Sequence, residues 1–209
     1  MAAARDGEGT RRKILGAAEE LFAERGFDGT TIREVAERSG LSGPLILFHF
    51  QTKEGLYEAV KDDIVRRWQA NLDGSPLPKG GAGAFVDVMI EAAFAFYRDN
   101  PTMVRIANWG RLAGDDAPWG GEEEIHRWYR TSLVEAQRRK EIRDDISPLA
   151  ITALISGAVH VWWEFRGHME EHVRQGSYEP LSDDAYLDQI TAVIRRGLAP
   201  LGGEKEKEA

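Results

Sequence analysis

Two helix-start signals stand so close together in this chain that the helix between them has room for only about two turns. Thr31 and Glu34 have the Thr-x-x-Glu spacing in which each side chain satisfies a free backbone N–H of the other. Ser42 is a second good N-cap, and Pro44 follows it in the first turn, where a missing N–H costs nothing. Between them Gly40 has access to the left-handed conformation that stops a helix. Upstream, Ile14, Leu15, Ala18, Leu21 and Phe22 follow the spacing of an amphipathic helix that runs from Thr10 and ends at Gly26. The short helix after Thr31 turns Ile32, Val35 and Ala36 inward. The next, Gly43 to about Phe50, buries Ile46 and Phe50 and leaves Leu45, Leu47 and His49 in other directions. Two short helices joined by a glycine-containing turn form a helix-turn-helix.

The rest of the sequence is helical too. From Lys53-Glu54 a longer helix carries Leu56, Val60, Ile64, Trp68 and Leu72 every four residues. Residues 73–81, rich in Gly and Pro, read as a flexible connection. Helices are expected over 84–99, 102–113, 122–142, 148–174 and 183–198, with 113–121 mobile. The fold class is therefore all-α, with nine helices, no strand and no internal repeat. The expected division is a helix-turn-helix domain over 1–53, a larger helical domain over 54–200 and a disordered, charged tail over 201–209.

The formal charge of −8 argues at first against a nucleic-acid partner, because neutralising phosphates requires cations. Its distribution weakens the objection. Residues 1–53 hold 8 basic and 8 acidic side chains, and residues 54–209 hold 19 and 27. A neutral reading module must gather its cations on one face and act in two copies. No run approaches the roughly 18 apolar residues of a membrane span, and the start lacks the apolar core of a signal peptide, so a cytoplasmic chain is expected. The absence of cysteine removes disulfides, thiolate metal sites and a cysteine nucleophile. There is no G-x-S-x-G, H-E-x-x-H or phosphate-binding glycine loop, and acid runs such as Glu122-Glu123-Glu124 are ordinary helix surface. Neither an enzyme nor a cofactor is expected.

The run from Thr10 to Ser42, continued through His49-Phe50-Gln51-Thr52-Lys53-Glu54, resembles the N-terminal domain of TetR-family repressors. Phe22, Gly26, Thr31, Val35, Ala36, Gly40, Ser42, His49, Phe50 and Lys53 fall on matching positions. The resemblance implies a homodimer whose paired recognition helices enter the major groove of a palindromic operator, and whose larger helical domain dimerises and binds an effector. It places DNA contacts at Arg33, within Gly43-Pro44-Leu45 and at His49, with Thr31, Ser42 and Lys53 reaching phosphates through a hydroxyl, a helix N-terminus and a cation. Capping alone also explains Thr31 and Ser42. Arg11 and Arg12, with Lys13, stand where an arm meets backbone or minor groove, or is simply solvated. The family usually has Thr where this chain has Leu45 and Tyr where it has Leu47. Leucine cannot hydrogen-bond, so base readout must rest on Arg33, His49, backbone groups or apolar contact with thymine methyls. Alternatively both leucines pack against the first or fourth helix.

Five of the six tryptophans follow residue 100. Trp109, Trp128, Tyr129 and Trp162, with Phe94, Tyr97 and Trp163, are candidates for an apolar effector pocket anchored by Asn108 or His126. Ordinary core packing is the alternative for each. His160, Glu164, His168 and His172 recur every four residues, a spacing able to ligate metal. The four span about 18 Å, too long for one ion. The expectation is therefore no metal, and a dimer surface in which the last two long helices of each protomer form a four-helix bundle. The sequence reads as a ligand-responsive regulator released from DNA by a small hydrophobic or aromatic effector. The alternative is a helical small-molecule-binding or interaction protein on the same scaffold with weakened or lost operator binding.

Overall fold

The computed structural model describes residues 2–73, 82–115 and 117–200. Among them lie nine helices: α1 (Ala2–Arg25), α2 (Ile32–Ser39), α3 (Gly43–Phe50), α4 (Lys53–Asp73), α5 (Ala82–Asp99), α6 (Pro101–Leu112), α7 (Glu122–Arg138), α8 (Pro148–Arg174) and α9 (Asp183–Leu198). The all-α expectation holds. The connection over 74–81 and the tail over 201–209 lie outside the described residues. Among the described residues no helix is long and apolar enough to cross a membrane.

Two helix ends differ from expectation. α1 begins at Ala2 instead of Thr10; the run Ala2-Ala3-Ala4 favours helix, although Gly7 and Gly9 do not. α7 stops at Arg138 instead of 142. Lys140 takes a left-handed φ of 59°. Its N–H reaches the Gln137 carbonyl at 3.0 Å and that of Glu141 reaches Ala136 at 3.1 Å, the paired bonds that close a helix C-terminus.

The chain divides into two compact units, residues 1–70 with 99–123, and residues 71–98 with 124–209. Packing thus does not divide the chain after Lys53: most of α4, and α6, belong to the unit that holds the helix-turn-helix. In this first unit Ile14, Ala18, Leu21 and Phe22 of α1, Val35 of α2, Ile46 of α3, and Leu56, Val60 and Ile64 of α4 are buried. The expected caps are present. Thr31 Oγ1 accepts from the Glu34 N–H and Glu34 accepts from the Thr31 N–H, while Ser42 Oγ accepts from the Leu45 N–H. The two hydrogen bonds from Thr31, foremost its hydroxyl, hold the Glu34 carboxyl below its ordinary pKa. Thr30, fully buried, donates to the Leu21 and Gly26 carbonyls and fixes the turn between α1 and α2.

α6 packs on α1. Arg105 Nε and Trp109 Nε1 both donate to the Ala23 carbonyl, at 2.8 and 3.3 Å, and Thr102 and Arg67 both bond Glu19. The stretch 113–121, expected to be mobile, is tied down at described residues: Lys61 donates to Asp115 and Gln69 to the Gly121 carbonyl. Residue 116 lies outside the described residues.

The second unit has its own core of Val86, Met89, Ile90 and Phe94 on α5, Ile125, Tyr129 and Leu133 on α7, Ile151, Ile155 and Val159 on α8, and Ile194 on α9. Ser147 and Ser182 cap α8 and α9, and Arg195 pairs with Asp87, joining α9 to α5.

Gly26 is demanded by two constraints at once. Its φ is +71°, and a Cβ there would stand 3.0 Å from Cδ2 of Trp109. Gly40 has a similar φ of +69° with open space around it. Gly40→Ala is expected to cost about 1–2 kcal/mol, the left-handed penalty alone, and Gly26→Ala about 1–3 kcal/mol more through overpacking. Denaturant melts of both variants measure the difference, and Trp109→Ala in the Gly26→Ala background should recover part of it.

Candidate nucleic-acid interface

α3 has Ile46 and Phe50 buried, four residues apart, so its outward side is fixed by helical geometry. That side carries Pro44, which is exposed, Leu47 at 42% exposure and Phe48 at 79%. Leu45, Gly43 and His49 are half-buried at its edges. Leu47 therefore offers part of its surface to solvent. The helix has no Lys, Arg, Asp or Glu, and its outward surface is apolar. Phe48 was not among the expected contacts. Its signal was available, since a residue two positions from both Ile46 and Phe50 must face away from them.

Cations stand on α1 and α2. Arg12 and Lys13 are exposed on α1. Arg11 is half-buried, with its guanidinium carbon 4.6 Å from the Phe50 ring centre, so it steadies the end of α3. Arg33 projects from α2 with 86% of its side chain exposed and a 3.6 Å pair to Glu37. An exposed pair of this kind contributes little, and a phosphate competes with it readily. Lys53, expected to reach a phosphate, donates its ammonium to the Phe27 carbonyl at 3.0 Å and lies 4.1 Å from that ring's centre, which holds the turn between α1 and α2 and leaves further ammonium hydrogens. Thr31 likewise spends its hydroxyl on Glu34, whereas the exposed Ser42 keeps a hydroxyl hydrogen for an outside acceptor.

The expected effector residues are divided between the two units. Asn108 and Trp109 belong to α6 in the first unit, because the Trp109 ring rests on Gly26 and its N–H on Ala23. His126 is exposed on α7, the helix that buries Ile125 and Tyr129. Within the second unit Phe94, Trp162 and Trp163 gather around Tyr186, whose ring centre lies 6.3 Å from that of Phe94. Trp128 meets Phe85 and Tyr129 with ring centres 5.2 and 5.3 Å apart. Tyr97 meets His160 at 5.7 Å. Trp162 stacks on Tyr186 at 4.0 Å and 12°, and Phe94 meets Trp163 at 5.0 Å. Tyr186, missed in the sequence, donates to the Ala158 carbonyl at 2.7 Å, and its burial pushes the phenol above its ordinary pKa. The Trp163 indole N–H is buried without a hydrogen-bond partner, a cost that an incoming acceptor removes. Trp162 also lines a groove of about 500 Å³ with Met169, Val173, Tyr178 and Leu181.

The histidine stripe splits into two pairs. His160 Nε2 lies 3.0 Å from Glu164, and the Nε2 atoms of His168 and His172 lie 3.2 Å apart. Among the described residues no three His, Cys, Asp or Glu side chains converge on one point.

Comparison with known proteins places these features. The family model for bacterial regulatory proteins of the tetR family matches residues 14–60, and that for the tetracyclin repressor-like C-terminal domain matches residues 88–196. The HTH-type transcriptional regulator RutR of Escherichia coli is 34% identical over 109 residues, covering 50% of this chain and 49% of RutR. The A-factor receptor protein of Streptomyces griseus is 28% identical over 148 residues, covering 70% of this chain and 51% of its own. The chain thus spans about half the length of these curated relatives. Solved structures share the fold along nearly all of it. SCO4942 of Streptomyces coelicolor superposes with a TM-score of 0.72 at 22% identity, over 92% of this chain and 99% of its own. A gamma-butyrolactone receptor does so with a TM-score of 0.64 at 22% identity, over 93% and 90%. Those relatives are named as regulators and receptors, and none of these names is an enzyme's. With one model covering the helix-turn-helix and the other more than half of the chain, this protein belongs to the TetR family of helix-turn-helix transcriptional regulators.

Proposed function

We propose that the chain is a repressor that binds a palindromic operator as a homodimer and releases it when a small hydrophobic or aromatic effector enters the second unit. The observation that carries the DNA reading is the outward side of α3: Leu47 and Phe48 are exposed on a helix whose opposite side is fully buried. Exposed apolar side chains on a short helix lose free energy in water unless a partner covers them. Thymine methyls in the major groove are such a partner. Arg12, Lys13 and Arg33 supply the phosphate contacts, and Lys53 holds the turn that sets their height. Direct readout here rests on T-rich steps more than on guanine contacts.

Support for the dimer comes from α8 and α9. Leu154, Val161 and Phe165 on α8 are 54%, 50% and 48% exposed, and Val193 on α9 is 69% exposed. Their spacing makes a stripe that a second copy covers in a four-helix bundle. Support for the effector comes from the receptors among the relatives and from the unpartnered Trp163 N–H beside Phe94 and Trp162. A charge-free recognition helix also favours the second reading, a scaffold with weakened operator binding.

Retention of the upstream intergenic DNA in a mobility-shift assay separates the two. With operator binding, Arg33→Ala is expected to weaken affinity and lower the slope of log affinity against log salt by about one. An unchanged slope sinks the phosphate role. Operator selection with Leu47→Ala/Phe48→Ala should lose thymine preference at the contacted steps, and a wild-type consensus of invariant G at those steps overturns the apolar readout. Phe165→Glu is expected to shift sedimentation to the monomer and with it abolish shifted complexes at protein concentrations that saturate the wild type. A Phe165→Glu protein that remains dimeric removes α8 from the interface.

A further inference from the structure

The end of α1 opens onto a cleft that neither the reading face nor the second unit uses. Its volume is about 420 Å³, and it is bounded by the turn after α1, the start of α4 and the end of α6, all in the first unit. Three of its walls are aromatic. Phe27 and Tyr57 stand 5.1 Å apart at 55°, and Trp109, although seated on Gly26, is 40% exposed. Leu112, at the rim, is 81% exposed. Apolar surface of this extent, left open on one side, favours a covering group.

The remaining lining is mainly acidic: Asp28, Glu54, Glu58 and Asp115. The cations in and around it, Arg25 of the lining among them, are already paired with carboxylates. Arg25 pairs with Glu34. Lys61, 3% exposed, bonds Glu58 at 2.8 Å and Asp115 at 3.3 Å. Burial lowers its pKa, and the hydrogen bond and charge of Glu58, with Asp115, more than offset this, so the ammonium stays charged. Lys61 offsets one of the two charges of Glu58 and Asp115, and Asp28 and Glu54 add a negative edge to the cleft. Hydrogen bonds from the backbone and from Thr52 keep the Glu54 carboxyl below its ordinary pKa, and therefore ionised.

Two of the rings already show the chemistry. Lys53 sits 4.1 Å from the centre of Phe27, and Lys61 sits 5.0 Å from that of Tyr57. Tryptophan offers a stronger π face than either. An anion entering the cleft meets carboxylates, and a neutral molecule strips water from Asp28 and Glu54 without replacing it. A cation with an apolar body satisfies both walls and rim.

We propose that this cleft binds a small organic cation, an ammonium carrying an aromatic or branched apolar body, as a site separate from the effector site of the second unit. It adjoins the turn leading into α2, so any preference of the ligand for one geometry of that turn returns as a change in operator affinity. The assignment does not depend on the effector reading above.

Calorimetric titration of the full chain with benzyltrimethylammonium, N-benzylacetamide and benzoate tests it. The cation is expected to bind one site per chain, about tenfold tighter than the neutral amide, with benzoate weaker still. Asp28→Asn/Glu54→Gln should lose about that factor for the cation and leave the amide unchanged. Trp162→Leu should leave cation binding intact, whereas Trp109→Leu weakens it. The carboxylate pair is at the surface, so the test stands even if Trp109→Leu destabilises the fold. Absence of binding, equal affinity for amide and cation, or loss on Trp162→Leu with full retention in the carboxylate variant overturns the proposal.

Discussion

The carbonyls at the C-terminal end of α1 are the point on which the first unit depends. A helix leaves its last carbonyls without partners inside itself, and here the rest of the unit supplies them. Arg105 and Trp109 of α6 take Ala23, and Gly26 N–H takes Phe22. Thr30 bonds Leu21 and Gly26, and Lys53 bonds Phe27. Each bond is modest by itself, about 1 kcal/mol net. Together they fix the turn from which α2 departs, and so the height and angle of the short helices. The same bonds join α6 and the start of α4 to the reading head. A helix far along the chain thus belongs to the DNA-binding unit for reasons of hydrogen bonding and close packing against a glycine.

The reading face follows a different balance. Its recognition helix has no charge, and the chain is acidic overall. In the proposed reading, affinity drawn from phosphates comes from Arg12, Lys13 and Arg33, while Arg11 and Lys53 are held against Phe50 and Phe27. Aromatic rings hold two of the eight cations of residues 1–53 inside the fold, which leaves this charge-neutral stretch few free cations outside. With few free cations per head, the proposed homodimer would double the phosphate contacts without requiring a more basic module.

The sequence itself determined the nine helices, the helix-turn-helix and its caps, because these rest on local chemistry: Thr31 with Glu34, Gly40 before Ser42, and the buried spacing of Ile46 and Phe50 involve residues a turn or less apart. It also carried the outward direction of Phe48, unread. The tertiary structure alone decided which unit α6 joins, that Lys53 serves a carbonyl and a ring, that Asn108 and Trp109 leave the other aromatics, and that His126 faces outward. Periodicity tells that a side chain is on a face, and not what stands opposite that face. Trp109 meets Gly26 and Ala23 across more than eighty residues of chain, and no local pattern encodes a contact between groups so far apart in sequence.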